Sequence, residues 1–177
     1  LLLADMAGVT YNDPVVTDGV ASTPEDAGSQ KWEEFMNQLT WEEMWGLVQA
    51  GSGTIAIESI GKAADSGTEG PIYVHGGTFF PSNPILGATW NKELAYEMGR
   101  LAGNEAILLG FSVWHGPSVN LHRSPFCGRN FEYYSEDGIL SGQMVAEAVK
   151  AATSKGIICD AKHFLANNQE AHRGAYG

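Results

Sequence analysis

With 177 residues, 44 % of them hydrophobic and five tryptophans among them, the chain has a globular composition that excludes the disordered and fibrous classes; one compact unit is expected. Ten basic against 21 acidic residues leave a net charge of −11, which excludes a nucleic-acid backbone or an anionic membrane surface as partner and suits a neutral substrate. Cys127 and Cys159 stand far apart and outside any CxxC pattern, so neither a disulfide framework nor a zinc ribbon is indicated, and a reduced, cytoplasmic compartment is expected.

The opening Leu-Leu-Leu-Ala-Asp has no basic region before it and is too short for a membrane span, and the lack of an initiator Met suggests a piece of something longer. Residues 1–28, with Pro14, Gly19, Pro24 and Gly28, read as an irregular lead-in, and residues 29–177 as the folded domain. From Lys31, Trp32, Phe35, Met36 and Leu39 fall at helical spacing. Thr40 with Glu43 then forms a capping box for a second helix through Met44, Leu47 and Val48, ended by Gly51. Both stripes are expected to be core.

Thr54-Ile-Ala-Ile57 predicts a short buried strand. Gly51-Ser-Gly53 precedes that strand and lacks a third glycine, so it is not a dinucleotide fingerprint. Leu86 to Trp90 is a candidate strand. Asn91 is expected to cap a helix carrying Leu94, Met98, Leu101 and Leu108 and closed by Gly110. Phe111–Trp114 is the next strand. Ile139 to Ala152 form another helix, capped by Ser135 or Asp137 and ended by Gly156, and Ile157–Ala161 a further strand. This alternation implies an α/β fold with a parallel sheet and crossover helices.

On that reading Glu69 lies in the loop after the first strand, Arg123 after the strand ending near Trp114, and Lys162-His163 at the end of the strand 157–161. All lie beyond carboxyl ends of parallel strands, where β/α barrels and doubly wound sheets build their sites. Each residue alone is more simply a solvated charge, a loop staple or a core histidine; their convergence favours a site. Trp90 and Trp114, at strand ends, are expected in the core. A metal site using His115, His122, His163, His172 and Asp160 matches no familiar ligand spacing, and Lys162 would repel the cation; no metal or other cofactor is expected.

Two stretches carry a family resemblance. Asn120-Leu-His-Arg-Ser-Pro with Gly128-Arg-Asn-Phe-Glu-Tyr-Tyr-Ser-Glu-Asp137, and Lys162-His-Phe with Asn168-Gln-Glu170 and Arg173, resemble the signatures of glycoside hydrolase family 3, the β-glucosidase family. Phe80-Pro81 and Ala88-Thr-Trp-Asn91 are similar to further family patterns, so the likeness spans about residues 40–177. It implies part of a (β/α)8 barrel, incomplete at this length, in an enzyme that retains anomeric configuration through a covalent glycosyl-enzyme. It also implies that Glu69, Arg123, Lys162, His163 and Arg173 bind hydroxyls of a small carbohydrate substrate, a β-glucoside or oligosaccharide. Glu69 departs from the aspartate usual before Gly-Pro, and the added methylene is expected to weaken the pocket or shift its preference.

Retaining hydrolysis needs two carboxyl groups about 5 Å apart. Glu132, Glu136, Asp137, Asp160 and Glu170 are available, but Glu132 and Glu136 read as first-turn helix acids, Asp160 lies in a strand and Glu170 tethers its own loop. The family's nucleophile, an aspartate within Ser-Asp-Trp, and its acid/base glutamate have no counterpart and are expected beyond Gly177. The chain thus reads as the sugar-holding half of a hydrolase, its partners being the remainder of the same polypeptide and, through its open sheet, other copies. The alternative is an inactive carbohydrate-binding remnant.

Overall fold

The computed structural model describes residues 1–12, 16–17, 20–21, 26–49, 53–163 and 166–172. In place of the single expected unit, the chain forms two, Leu1–Asp65 and Ser66–Gly177.

The first unit is not wholly irregular at its start: a 3-10 turn at Leu3–Met6 precedes an antiparallel pair, β1 (Val16–Thr17) and β2 (Val20–Ala21). Helix α1 (Ala27–Met36) begins four residues before Lys31, because Asp26 caps it. The Asp26 carboxylate accepts from the Ser29 amide at 2.8 Å and from Asn12 Nδ2 at 3.2 Å, and these bonds, the Ser29 amide foremost, hold its pKa at about 2 against an ordinary 3.8. A carboxyl whose pKa falls on folding stabilises above its unfolded value and loses that contribution as pH drops through the folded one. The Ser29 amide shift should therefore titrate with a midpoint near 2. A midpoint at the ordinary aspartate value would contradict the cap.

Helix α2 (Trp41–Gln49) follows with the expected capping box intact: the Glu43 amide donates to Thr40 Oγ1 at 3.2 Å, and the Thr40 amide to Glu43 Oε2 at 2.8 Å. Gly51 lies outside the described residues. The stripes are core only in part. Phe35 is buried with Met6, Ile57 and Ile60, against which Trp32, Leu39 and Leu47 pack. Met36, Met44 and Val48 are exposed, as is Trp41 at 71 %, which stacks on Trp45. Thr54–Ile57 is no strand either. It makes isolated antiparallel bridges, Thr54 to Asp65 and Ile57 to Lys62, and leaves Ile55 exposed.

The second unit holds a parallel sheet in the order β3 (Gly67–Glu69), β4 (Val113–His115), β5 (Ile158–Cys159). Strands neighbouring in chain order, each reached through a helical crossover, are the progression by which a β/α barrel is built. The first strand of the parallel sheet thus begins thirteen residues later than expected. Leu86–Trp90 is not a strand, since α3 (Asn83–Ala88) occupies it, with Pro84 in its first turn. Trp90, outside that helix, is 73 % exposed and not core.

Helix α4 (Lys92–Leu108) starts where expected, the Leu94 amide donating to Asn91 Oδ1 at 3.2 Å. Helix α5 (Gly138–Thr153) is capped by Asp137, which accepts from the Ile139 and Leu140 amides. Gly110 and Gly156 follow the two helices with φ of +81° and +89°, a conformation that glycine adopts without strain. The two helices pack through small residues, Gly99, Ala102 and Gly103 against Ala148 and Ala152. Around that seam Val74, Met98, Ala106, fully buried Trp114 and Ile157 complete the core. Among the described residues no helix is long and apolar enough to cross a membrane.

Candidate active site

The carboxyl ends of β3, β4 and β5 form one rim. Register sets Glu69 opposite His115, and the ladder continues past the strand ends: the Lys162 amide donates to Pro117 O at 3.1 Å and the Val119 amide to Lys162 O at 2.6 Å. Glu69 therefore ends a strand and does not sit in a loop. The turn after it depends on Gly70, whose φ is +156° and where a Cβ would lie 1.5 Å from Tyr73 O. The indole of Trp114 donates to Gly70 O at 2.8 Å and fixes that turn from within the core.

Two of the expected residues meet directly. Lys162, 6 % exposed, puts Nζ 2.5 Å from Glu69 Oε2, whose side chain is 64 % exposed. A buried ammonium is thus matched by a carboxylate that still faces solvent. Desolvation pushes the Glu69 carboxyl up, but the hydrogen bond and charge of Lys162, with His115 and Arg129 adding to them, hold it below the usual carboxylate value. On the other side His115 places Nε2 3.7 Å from Glu69 Oε1 and Nδ1 2.5 Å from Asp160 Oδ2. Asp160 follows β5 and does not lie within it. Among the described residues no group of three or more His, Cys, Asp or Glu side chains is placed to hold a metal ion.

His163, half-buried beside Lys162, belongs to a second polar cluster. Its Nδ1 is 3.0 Å from Tyr133 Oη, and Asn167 Nδ2 donates to that hydroxyl at 2.6 Å and to Glu170 Oε1 at 3.1 Å. Glu170 thus tethers its own loop, as expected. Asn120 holds the same loop by both ends of its amide: Nδ2 donates to Asn167 O at 3.0 Å and Oδ1 accepts from the Asn167 amide at 3.0 Å.

Glu132 lies in a 3-10 turn, Asn130–Glu132, and does not serve the N-terminus of α5, which Asp137 caps. Buried under the rim, Glu132 accepts two bonds from the Arg129 guanidinium at 2.8 and 2.7 Å and one from Ser118 Oγ at 3.1 Å, a forked geometry that gives such pairs their strength. Its hydrogen bond also raises the Arg129 pKa above the ordinary value. Asn83, buried, donates through Nδ2 to Glu132 O at 2.6 Å and Ser118 O at 3.2 Å, tying α3 to two points of the 116–137 loop. Arg123 is exposed on the 116–137 loop and has no hydrogen-bond or ion-pair partner among the described residues. Arg173 lies outside the described residues.

The rim therefore unites Glu69 with Lys162 and adds His115 and Asp160, which the sequence reading weighed and set aside, and Tyr133 and Asn167, for which it had no site role. Chemically it presents an exposed carboxylate that can accept O–H groups beside an ammonium and an imidazole that can donate.

Residues 63–176 match the glycosyl hydrolase family 3 N terminal domain. The chain is 49 % identical to beta-glucosidase A of Butyrivibrio fibrisolvens over 96 residues, 54 % of this chain and 12 % of that protein. It is 38 % identical to a probable beta-glucosidase I of Aspergillus clavatus over 152 residues, 80 % of this chain and 18 % of the other. Among solved structures, a family 3 β-glucosidase of Bifidobacterium adolescentis superposes with a TM-score of 0.70 at 35 % identity, covering 78 % of this chain and 21 % of that one. Beta-glucosidase 3B of Thermotoga neapolitana, in complex with α-D-glucose, gives 0.66 at 37 % identity, with 79 % and 24 % covered. The chain spans under a quarter of the length of each of these relatives. With the strand order, the rim and more than half of the chain matched, it belongs to glycoside hydrolase family 3.

Proposed function

We propose that the rim is the pocket for the non-reducing sugar of a retaining, β-glucosidase-type glycoside hydrolase acting on β-glucosides or related oligosaccharides. In this reading Glu69, Arg123, Lys162, His163 and Arg173 hold the ring's hydroxyls. The observation that carries it is the Glu69–Lys162 pair at the strand ends: adjacent sugar hydroxyls each donate and accept, and an exposed carboxylate hydrogen-bonded to a buried ammonium answers both needs. Holding the ring by several charged groups also supports its distortion toward an oxocarbenium-like transition state. The net charge of −11 suits an uncharged substrate, and the related Thermotoga enzyme is described in complex with glucose.

The nucleophile and the acid/base come, in this reading, from polypeptide outside these 177 residues. What supports it is the engagement of the chain's own carboxylates: Glu132 is bound by Arg129 and Ser118, Asp137 caps α5, Asp160 is paired with His115, and Glu170 is held by Asn167. Residues 29–177 then form the first part of the barrel domain, and the outer edges of β3 and β5, unpaired among the described residues, favour self-association when the chain stands alone.

The test is hydrolysis of an aryl β-D-glucoside by the full natural polypeptide, followed by proton NMR before mutarotation. Release of β-glucose first is expected. α-Glucose first, or no hydrolysis, would contradict the proposal, and the second result would favour an inactive binding remnant.

A further inference from the structure

His163 is placed to contact a sugar in the reading above, but an imidazole can meet a hydroxyl either as donor or as acceptor. Which it does depends on its tautomer, and its surroundings choose one. We propose that Tyr133 is a positioning residue that locks His163 in the Nε2–H tautomer, so that His163 donates to the sugar; this rests on the assignment of His163 to the sugar pocket.

Asn167 Nδ2 lies 3.1 Å from Glu170 Oε1, and a carboxylate oxygen accepts, which fixes that end of the Asn167 amide as the NH2. The same nitrogen is 2.6 Å from Tyr133 Oη and has no lone pair to offer, so there the tyrosine oxygen is the acceptor. The hydroxyl's own hydrogen is left for its other neighbour, His163 Nδ1, at 3.0 Å. Asn167 Nδ2 also approaches Nδ1, at 3.4 Å. Both hydrogens of that Asn167 nitrogen are already committed, to Tyr133 and Glu170, so the donor to Nδ1 is the Tyr133 hydroxyl; Nδ1 is then the unprotonated nitrogen, and a neutral imidazole carries its proton on Nε2.

Two features keep the arrangement in place. Tyr133 is fully buried, and desolvation raises its pKa above the ordinary tyrosine value, so the phenol stays a donor at neutral pH. Its ring meets His163 edge-to-face, 6.0 Å between centroids at 89°, and its carbonyl accepts from His122 Nε2 at 2.9 Å. The pocket then has a divided polarity, with Glu69 receiving protons while Lys162 and His163 give them. A sugar is oriented by that division as well as bound by it.

The experiment is a long-range proton–nitrogen correlation spectrum of the 177-residue chain with labelled histidine, with and without Tyr133→Phe, followed by glucose titration of both. In the unsubstituted chain at neutral pH, His163 should show a protonated Nε2 and a pyridine-like Nδ1. Tyr133→Phe, which keeps the ring, should raise the Nδ1–H fraction several-fold and weaken glucose binding about five- to tenfold, the scale of one hydrogen bond. A protonated Nδ1 in the unsubstituted chain overturns the proposal without any variant, as does a Tyr133→Phe spectrum in which the tautomer is unchanged. His163→Ala separates the two readings. If it leaves glucose affinity intact while the Nε2–H tautomer and its loss in Tyr133→Phe stand, the sugar assignment of His163 fails and the tautomer lock survives.

Discussion

Lys162→Met is expected to lower glucose affinity by about a hundredfold or more while leaving the fold as stable as before. Charge-assisted hydrogen bonds to neutral hydroxyls contribute about 1.5–3 kcal/mol each, and removing the ammonium also frees Glu69 to move. Stability goes the other way. Lys162 is buried, methionine has similar length, and the abandoned Glu69 is mostly exposed and can be hydrated, so the change removes a desolvated charge without stranding another.

The converse substitution should behave differently. Glu69→Ala leaves the buried ammonium of Lys162 with no polar partner among the described residues and should destabilise the second unit by about 3 kcal/mol. Thermal unfolding and glucose titration of the two variants separate these effects. Equal destabilisation by both, or full glucose affinity in Lys162→Met, would contradict the assignment.

The largest effect on folding is expected from Gly99→Ala. Helix propensity alone predicts a gain of about 1 kcal/mol for alanine over glycine inside a helix. Packing decides against it: a Cβ at Gly99 would lie 2.1 Å from Ala148 O and 2.7 Å from its carbonyl carbon, both backbone atoms of α5 that no rotamer change can move aside. The helices must separate, opening the seam over Trp114 and Ala152, at a cost of about 3 kcal/mol or more. Chemical denaturation should show the loss. Gly142→Ala on α5, where a Cβ would meet nothing within 4 Å, should instead be neutral or stabilising. A stable Gly99→Ala protein would mean that α4 and α5 are not in such close contact.

What could be read from the residues was what local chemistry encodes. Asn91 and Asp137 announce α4 and α5, Gly110 and Gly156 end them, and the periodic apolar positions between are long enough to exclude a strand. Leu86–Trp90 misleads because five residues cannot display a period, and Pro84 after Ser82-Asn83 was the better signal. β3 was hidden for the opposite reason: Gly67-Thr68-Glu69 has no apolar run, and pairing with Val113–His115 makes it a strand. A stripe such as Trp41, Met44 and Val48 says which face of a helix is apolar, not what covers it.

The site divides the same way. Lys162 and His163 could be placed after a strand because the apolar run 157–161 is visible in the sequence, whereas Glu69 reads as a loop residue after the wrong strand, its own strand carrying no apolar signal. His115 was not legible, since its place beside Glu69 comes from register, nor was Tyr133, whose partner lies 30 residues on.

The most direct test of the central claim is a glucose titration of the isotope-labelled chain followed by amide and side-chain NMR. Saturable shifts should concentrate at Glu69, His115, Lys162, His163 and Tyr133 and be lost in Lys162→Met. Shifts scattered over both units, or a response confined to residues away from the strand ends, would contradict it.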